Sequence, residues 1–194
     1  MNIKKLVLMT GVIALMASFT FSEKATLNVD TSKSEVKWTG YHLAKSYEHS
    51  GSISLKSGSI EMTDGMISGG EFVIDMNSIT NSDIEDSKKN AKLVGHLKSD
   101  DFFNSEKYPE STLEITSVEK DGDNYTAEGD LTIRGITESI SFTITVNESS
   151  EDSIDATADL KIDRSKFKVL YGWSIENAII ANEFDLSVRI VAEG

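Results

Sequence analysis

From Tyr125 onward the chain alternates apolar and polar residues with a period of two, the pattern of a strand with one buried and one wet face. Tyr125, Ala127, Gly129, Leu131 and Ile133 are separated by Thr126, Glu128, Asp130 and Thr132. Beyond a turn signal at Gly135, Ile140, Phe142, Ile144 and Val146 alternate with Ser141, Thr143 and Thr145. Ile154, Ala156, Ala158, Leu160 and Ile162 form a third run, and Phe184, Leu186, Val188 and Ile190 a fourth. Shorter runs follow the same rule: Leu27 with Val29, Val36 with Trp38, Ile53 with Leu55, Ile60 with Met62, Phe72 with Ile74 and Met76, and Leu113 with Ile115. Asp64-Gly65 and Asp121-Gly122 read as hairpin turns, because glycine accepts positive φ without a Cβ clash. Gly69-Gly70 reads as a bend at the entry to a strand. Eight or more short strands punctuated by turns predict an antiparallel sandwich or barrel.

One stretch departs from the alternation. Ser82 and Glu85 have capping-box spacing and Leu93 and Leu97 lie four apart, so a short helix is predicted between Ile84 and Lys98. Pro109, the only proline, then marks the return to strand.

The direction of the apolar faces follows from charge. A barrel in an outer membrane turns its apolar residues outward. Here the opposite faces carry Asp155, Asp159 and Lys161, which cannot meet lipid, so the apolar faces point inward and no stable membrane insertion is expected.

The amino terminus adds a compartment. Lys4 and Lys5 precede the apolar stretch Leu6 to Phe19, and Thr20-Phe21-Ser22 is a small-x-small site, the layout of a signal peptide cleaved after Ser22. A membrane anchor would need about 20 apolar residues in an unbroken run. The expected organisation is a signal peptide over 1–22 and one β domain over 23–194, periplasmic or secreted. The chain has no cysteine, which excludes a lipoprotein lipobox, disulfides and thiolate chemistry. With 32 acidic and 19 basic residues its formal net charge is −13, which argues against nucleic acid or anionic membrane surfaces as partners.

Candidate chemistry is sparse. No P-loop, G-x-S-x-G elbow or G-x-G-x-x-G is present. His42, His49 and His96 lack the i, i+4 spacing of a zinc helix; they are read as rim residues, with a weak metal site formed by their convergence as the alternative. The chain is therefore read as a non-catalytic binding protein, with an enzyme or metal protein built on these histidines as a third reading. The aromatics, Trp38, Tyr41, Phe72, Phe102, Phe103, Phe142, Phe167, Tyr171, Trp173 and Phe184, are spread over many strands and loops. The interior of an eight-stranded barrel is either filled by side chains or wide enough for one ligand, and the residues alone leave both open. Ala127, Gly129, Ala156 and Ala158 at inward positions favour a cavity.

Gly95-His96-Leu97-Lys98-Ser99-Asp100-Asp101-Phe102-Phe103 followed by Lys107-Tyr108-Pro109 resembles the YceI family of lipocalin-like polyisoprenoid-binding proteins. So do Trp38-Thr39-Gly40 with His49-Ser50-Gly51, Gly129-Asp130-Leu131-Thr132-Ile133-Arg134-Gly135, and Ile162-Asp163-Arg164-Ser165 with Phe167. The chain departs from the family pattern in its short loop after Tyr41, Leu43 to Glu48.

The resemblance implies an all-β fold: an extended eight-stranded antiparallel lipocalin-like barrel with one short helix, enclosing an apolar tunnel. No cofactor is implied beyond the ligand, an isoprenoid lipid or quinone. The residues expected to line the interior are Trp38, Phe72, Ile74, Phe102, Phe103, Ile115, Leu131, Ile133, Phe142, Ile144, Ala158, Leu160, Phe167, Phe184 and Leu186. Cations that a head group would meet are His49, His96 and Arg164, with Lys45 and Arg134 as further candidates. Phenylalanine at Ala158 or Gly129 is expected to block the tunnel without unfolding the protein. The competing expectation is a filled barrel acting through its outer surface as a stress-related or interaction module. Oligomeric state is left open, a homodimer included.

Overall fold

A computed structural model describes residues 22–42, 47–122, 124–171 and 180–194. Residues 1–21 of the expected signal peptide, Lys45 and Trp173 lie outside the described residues. The described chain has nine strands: β1 Lys24–Val29, β2 Glu35–His42, β3 Glu48–Thr63, β4 Met66–Asp75, β5 Glu110–Asp121, β6 Asn124–Ile133, β7 Ile136–Ser149, β8 Ser153–Asp163 and β9 Ile180–Glu193. One helix, α1 Ser87–Lys98, separates β4 from β5.

Every pairing is antiparallel, and eight strands close on themselves: β2 pairs with β9, the order runs down to β4, and β4 and β2 both pair with β3. The ninth strand, β1, is a splint. It pairs with the second half of β3, Leu27 opposite Ile60, and with the end of β9, Val29 opposite Ala192, where β2 no longer reaches. Closure removes the exposed edges that an open sheet would present.

The turns explain the tight hairpins. Asp64 and Gly65 have φ of 52° and 74°, and Arg134 and Gly135 have 55° and 71°, the paired positive values of a type I′ turn. Gly122 is likewise at 63°. Gly69 and Gly70 prove to be internal to β4 rather than at its entry, beside a register shift between Glu61 and Met62 of β3. A Cβ on Gly70 would sit 2.8 Å from the Ser59 carbonyl oxygen, so the close strand approach requires glycine there.

The helix begins later than the capping-box spacing suggests. Asp86 is its N-cap, accepting from the Lys88 and Lys89 backbone N–H groups, whereas Ser82 is tied to the Ser50 carbonyl on β3. Leu97 is buried on its inner face, with Leu93 and Val94 packed beside it. Together with the 3-10 turns Met76–Ser78 and Arg164–Phe167, α1 covers one end of the barrel, hereafter the top. The bottom is formed by the β3–β4, β5–β6 and β7–β8 hairpins and by β1.

Inward residues match the alternation. On β6, Tyr125, Ala127, Gly129, Leu131 and Ile133 are all buried. Gly129 is not free space, however. A Cβ there would lie 2.8 Å from the Glu114 carbonyl oxygen and 3.0 Å from Leu113, so β5 occupies the volume that a side chain would fill.

Candidate functional site

Two cavities run in series through the barrel. The upper chamber has a volume of about 130 Å³ and is walled by Trp38, Ile53, Met76, Ile79, Phe102, Phe103, Ile133 and Phe184 among others. The lower chamber, about 110 Å³, is walled by Leu55, Ile60, Phe72, Ile115, Phe142, Ile144, Ala156, Ala158 and Leu160, with further aliphatics. Val36, Ile74, Leu131 and Leu186 line both and form the waist between them. Two chambers of open space thus lie inside the barrel, whose interior is not packed solid with side chains.

Fourteen of the fifteen residues expected to line the interior do wall one or both chambers: Trp38, Ile74, Phe102, Phe103, Leu131, Ile133, Phe184 and Leu186 above, and Phe72, Ile74, Ile115, Leu131, Phe142, Ile144, Ala158, Leu160 and Leu186 below. Phe167 does not. It closes the Arg164–Phe167 turn, is 1% exposed and packs into the surrounding core instead of facing either space. Sequence reasoning missed Leu55, Ile60 and Ile67 below and Met76, Ile79 and Leu97 above. The strand residues among them carry the period-two signal; Ile79 and Leu97 sit in segments where that signal is absent.

The upper chamber opens toward a third, more polar cavity of about 230 Å³, with Trp38, Gly40, Tyr41, Leu97, Phe102 and Ile180 common to both. All three histidines of the chain, His42, His49 and His96, line this vestibule. Two of them come from the β2–β3 hairpin, where the His42 N–H donates to the Tyr47 carbonyl. Tyr47 stands edge-on between His42 and His49, at 5.2 and 4.7 Å between ring centres. His49 Nδ1 donates to Asp83 Oδ2 at 2.8 Å, which leaves its Nε2 as the group available to a ligand. Burial pushes the Asp83 carboxyl up, but hydrogen bonds from the Ser50 N–H, His49 and Asn81 outweigh it and hold the group below the usual carboxylate range.

His96 arrives from α1. Its ring lies edge-on to Tyr171, 4.2 Å between centres, and 5.8 Å from Phe102. Its Nε2 is buried without a hydrogen-bond partner among the described residues, a deficit that costs about 1–3 kcal/mol unless another group supplies one. Although the three histidines share a cavity, no group of three or more His, Asp or Glu among the described residues is placed to hold a metal ion.

The arginines have other work. Arg164 is 3% exposed, and its guanidinium donates to four backbone carbonyls: Ala181 at 2.9 Å, Val169 at 2.7 Å, Tyr171 at 2.9 Å and Ile180 at 3.3 Å. Desolvation lowers its pKa. At most one of its five N–H groups is left for a ligand, so Arg164 clamps backbone at the chamber wall rather than presenting a free cation. Arg134, outside both chambers, donates to the carbonyls of Phe102, Lys168 and Asp100. Of the proposed head-group contacts, His49 and His96 thus face the vestibule and the two arginines are engaged by backbone.

Comparison with known proteins agrees with this architecture. The family model described as YceI-like domain matches residues 27–192. Protein YceI of Escherichia coli is 51% identical over 45 residues, and a UPF0312 protein of Photorhabdus laumondii 49% over 45; each alignment spans about a quarter of this chain and of its relative. In three dimensions the chain is similar to BcnA of Burkholderia cenocepacia, with a TM-score of 0.67 and 24% identity over 84% of this chain and 99% of that one. It is also similar to a polyisoprenoid binding domain from Saccharophagus degradans implicated in plant cell wall breakdown, with a TM-score of 0.62 and 15% identity over 89% and 99%.

Proposed function

Since this chain belongs to the family of YceI-like domains, matched from residue 27 to residue 192, we propose that it is a non-catalytic carrier that holds an amphiphilic isoprenoid, a polyprenyl lipid or a quinone. The tail occupies the two chambers and the head group lies in the vestibule. The observation that carries this reading is the gradient along one axis: two apolar chambers in series, then a cavity lined by three histidines and two tyrosines. Burying an apolar chain gains about 25 cal/mol per Å², so such a tunnel holds a lipid with few polar contacts. A similar fold in Saccharophagus degradans is described as polyisoprenoid binding, which supports the same class of ligand here.

Export belongs to the same reading. Lys4, Lys5 and the apolar stretch Leu6 to Phe19 support cleavage after Ser22 and delivery to an envelope or extracellular compartment, where a shielded tail crosses water. The acidic surface keeps such a carrier away from anionic membrane faces and nucleic acid.

Mass spectrometry of organic extracts from the natively purified protein tests the proposal. A prenyl lipid or quinone at near-equal molar amount is expected. Protein that carries none, and that takes up none when offered prenyl alcohols in detergent, would overturn it. Amino-terminal sequencing of protein recovered from the periplasm or medium is expected to begin at Glu23.

A further inference from the structure

The tunnel has a floor, made of buried residues that adjoin the lining of the lower chamber at the bottom of the barrel. Leu27 on β1 pairs with lining Ile60, Met62 on β3 pairs with lining Ile67, and Tyr125 on β6 pairs with lining Ile144. On β8 and β9, Ile154 and Ala192 pair with each other two positions beyond lining Ala156 and Ile190. Leu27, Met62, Tyr125, Ile154 and Ala192 are 0–6% exposed yet line neither chamber. They belong to the one continuous buried core, and the splint strand β1 closes the gap in the wall at their level. The opposite end opens into the vestibule. We infer that the tunnel is blind and that this five-residue floor is a ruler fixing how long a tail the protein accepts.

The depth can be read from β9, whose Ile180 lines the vestibule and whose Ile190 lines the lower chamber. At about 3.3 Å per residue and a tilt of about 40°, that stretch covers roughly 25 Å of the barrel axis. Four carbon–carbon bonds of about 1.5 Å give an extended isoprene unit a length of about 5 Å, so the tunnel measures about five units. A shorter tail leaves the floor region empty, and a longer one forces units out past the head-group position. Neither adds buried apolar area, which is where length selectivity comes from.

The inference rests on the tail lying in the chambers as proposed above, and the test separates the two. Prenyl alcohols of two to nine units compete for the purified, delipidated protein, and native mass spectrometry ranks their affinities. For the natural chain, affinity is expected to rise roughly tenfold or more per added unit, because each buries five carbons, and to level off near five. Ala156→Phe raises the floor and is expected to move the break about one unit shorter. Ala158→Phe, one inward position higher, moves it about two units shorter, and Ile154→Ala moves it about one unit longer. Melting curves confirm that each variant is folded; should Ile154→Ala not fold, the two phenylalanine variants carry the test alone. Affinity that is independent of length, or a break at the same length in Ala156→Phe, Ala158→Phe and the natural chain, would overturn the ruler while leaving the carrier standing. Failure of every alcohol to bind overturns both.

Discussion

The indole nitrogen of Trp38 donates a hydrogen bond to the carbonyl oxygen of Thr80 at 3.0 Å, and the α-carbon of Gly51 lies directly beneath that carbonyl. Trp38 and Gly51 are cross-strand partners on β2 and β3. A Cβ on Gly51 would stand 1.9 Å from the Thr80 oxygen, so the segment that closes the top of the barrel can reach the tryptophan only over a glycine. The same segment is held to β3 by the Thr80 and Ser82 N–H groups, which donate to the Ser52 and Ser50 carbonyls.

Gly51→Ala is therefore expected to displace residues 80–82 and to cost more than about 2 kcal/mol in urea denaturation. Trp38→Phe keeps the backbone path and loses one hydrogen bond, so it should cost about 1 kcal/mol from that source. A Gly51→Ala protein as stable as the natural one would show that the top segment is not fixed by this contact.

Arg164 is the residue whose role changed most between sequence and structure. As one of the few cations in an acidic chain it qualified as a head-group contact, but four carbonyls from two backbone segments take its guanidinium. Arg164→Lys offers three donors on a compact head in place of a planar fork. It is expected to lose about 3 kcal/mol or more of stability, since several buried carbonyls are left unpaired, with lipid affinity of the folded fraction nearly unchanged. Denaturant midpoints and lipid titration, measured on the same sample, distinguish this from a head-group role, which would give the reverse pattern.

The strands were legible because one face is buried along nearly their whole length. Where the reading broke, the cause was a bulge. In β3, Ile53 and Leu55 point inward at odd positions, while Ile60 and Met62 do so at even ones; a register shift between Leu55 and Ser57 flips the phase, so one 16-residue strand reads as two. The same device at Ile115 and Ser117 hides the continuation of β5 through Val118. The vestibule was legible only as a list of residue types. His42 and His49 are seven positions apart and His96 much farther, and their convergence depends on how α1 sits over the β2–β3 hairpin, which no local pattern encodes. A guanidinium bonded to backbone carbonyls is likewise invisible to residue pairing rules, because carbonyls belong to every residue.

His96 carries an opposing pair of effects that a single substitution can reveal. Its buried Nε2 has no hydrogen-bond partner among the described residues, a cost to the ligand-free protein that an apolar side chain would remove. His96→Leu also places a stronger helix former in α1. The variant is expected to be as stable as the natural chain or up to about 1 kcal/mol more stable when delipidated, and to hold its lipid more weakly. Thermal denaturation with and without ligand gives both numbers. A variant that is destabilised and binds normally would show that the imidazole serves packing against Tyr171 and Phe102 rather than a head group.

Tyr41 gives the vestibule rim a dependence on high pH. Its hydroxyl donates to Asp185 Oδ2 at 2.7 Å, and that bond, with burial and the charges of Asp185 and Glu48, pushes the phenol up to about 12. In the unfolded chain a tyrosine loses its proton near 10. Between these values the unfolded state releases a proton that the folded state keeps, so the contribution is whole below about pH 10 and is lost as pH rises through about 12. Tyr41→Phe removes the titrating group. Its denaturation midpoint is expected to fall less steeply than that of the natural protein as pH is raised from 9 toward 11, and its tyrosinate absorbance at pH 11 should nearly match the natural protein's, because Tyr41 is still protonated there. Removing the acceptor with Asp185→Leu, in contrast, should bring the phenol down toward its ordinary value and raise tyrosinate absorbance at pH 11 by a large fraction of one residue's worth. Equal absorbance in the natural protein and Asp185→Leu would mean that the bond to Asp185 does not hold the proton on Tyr41.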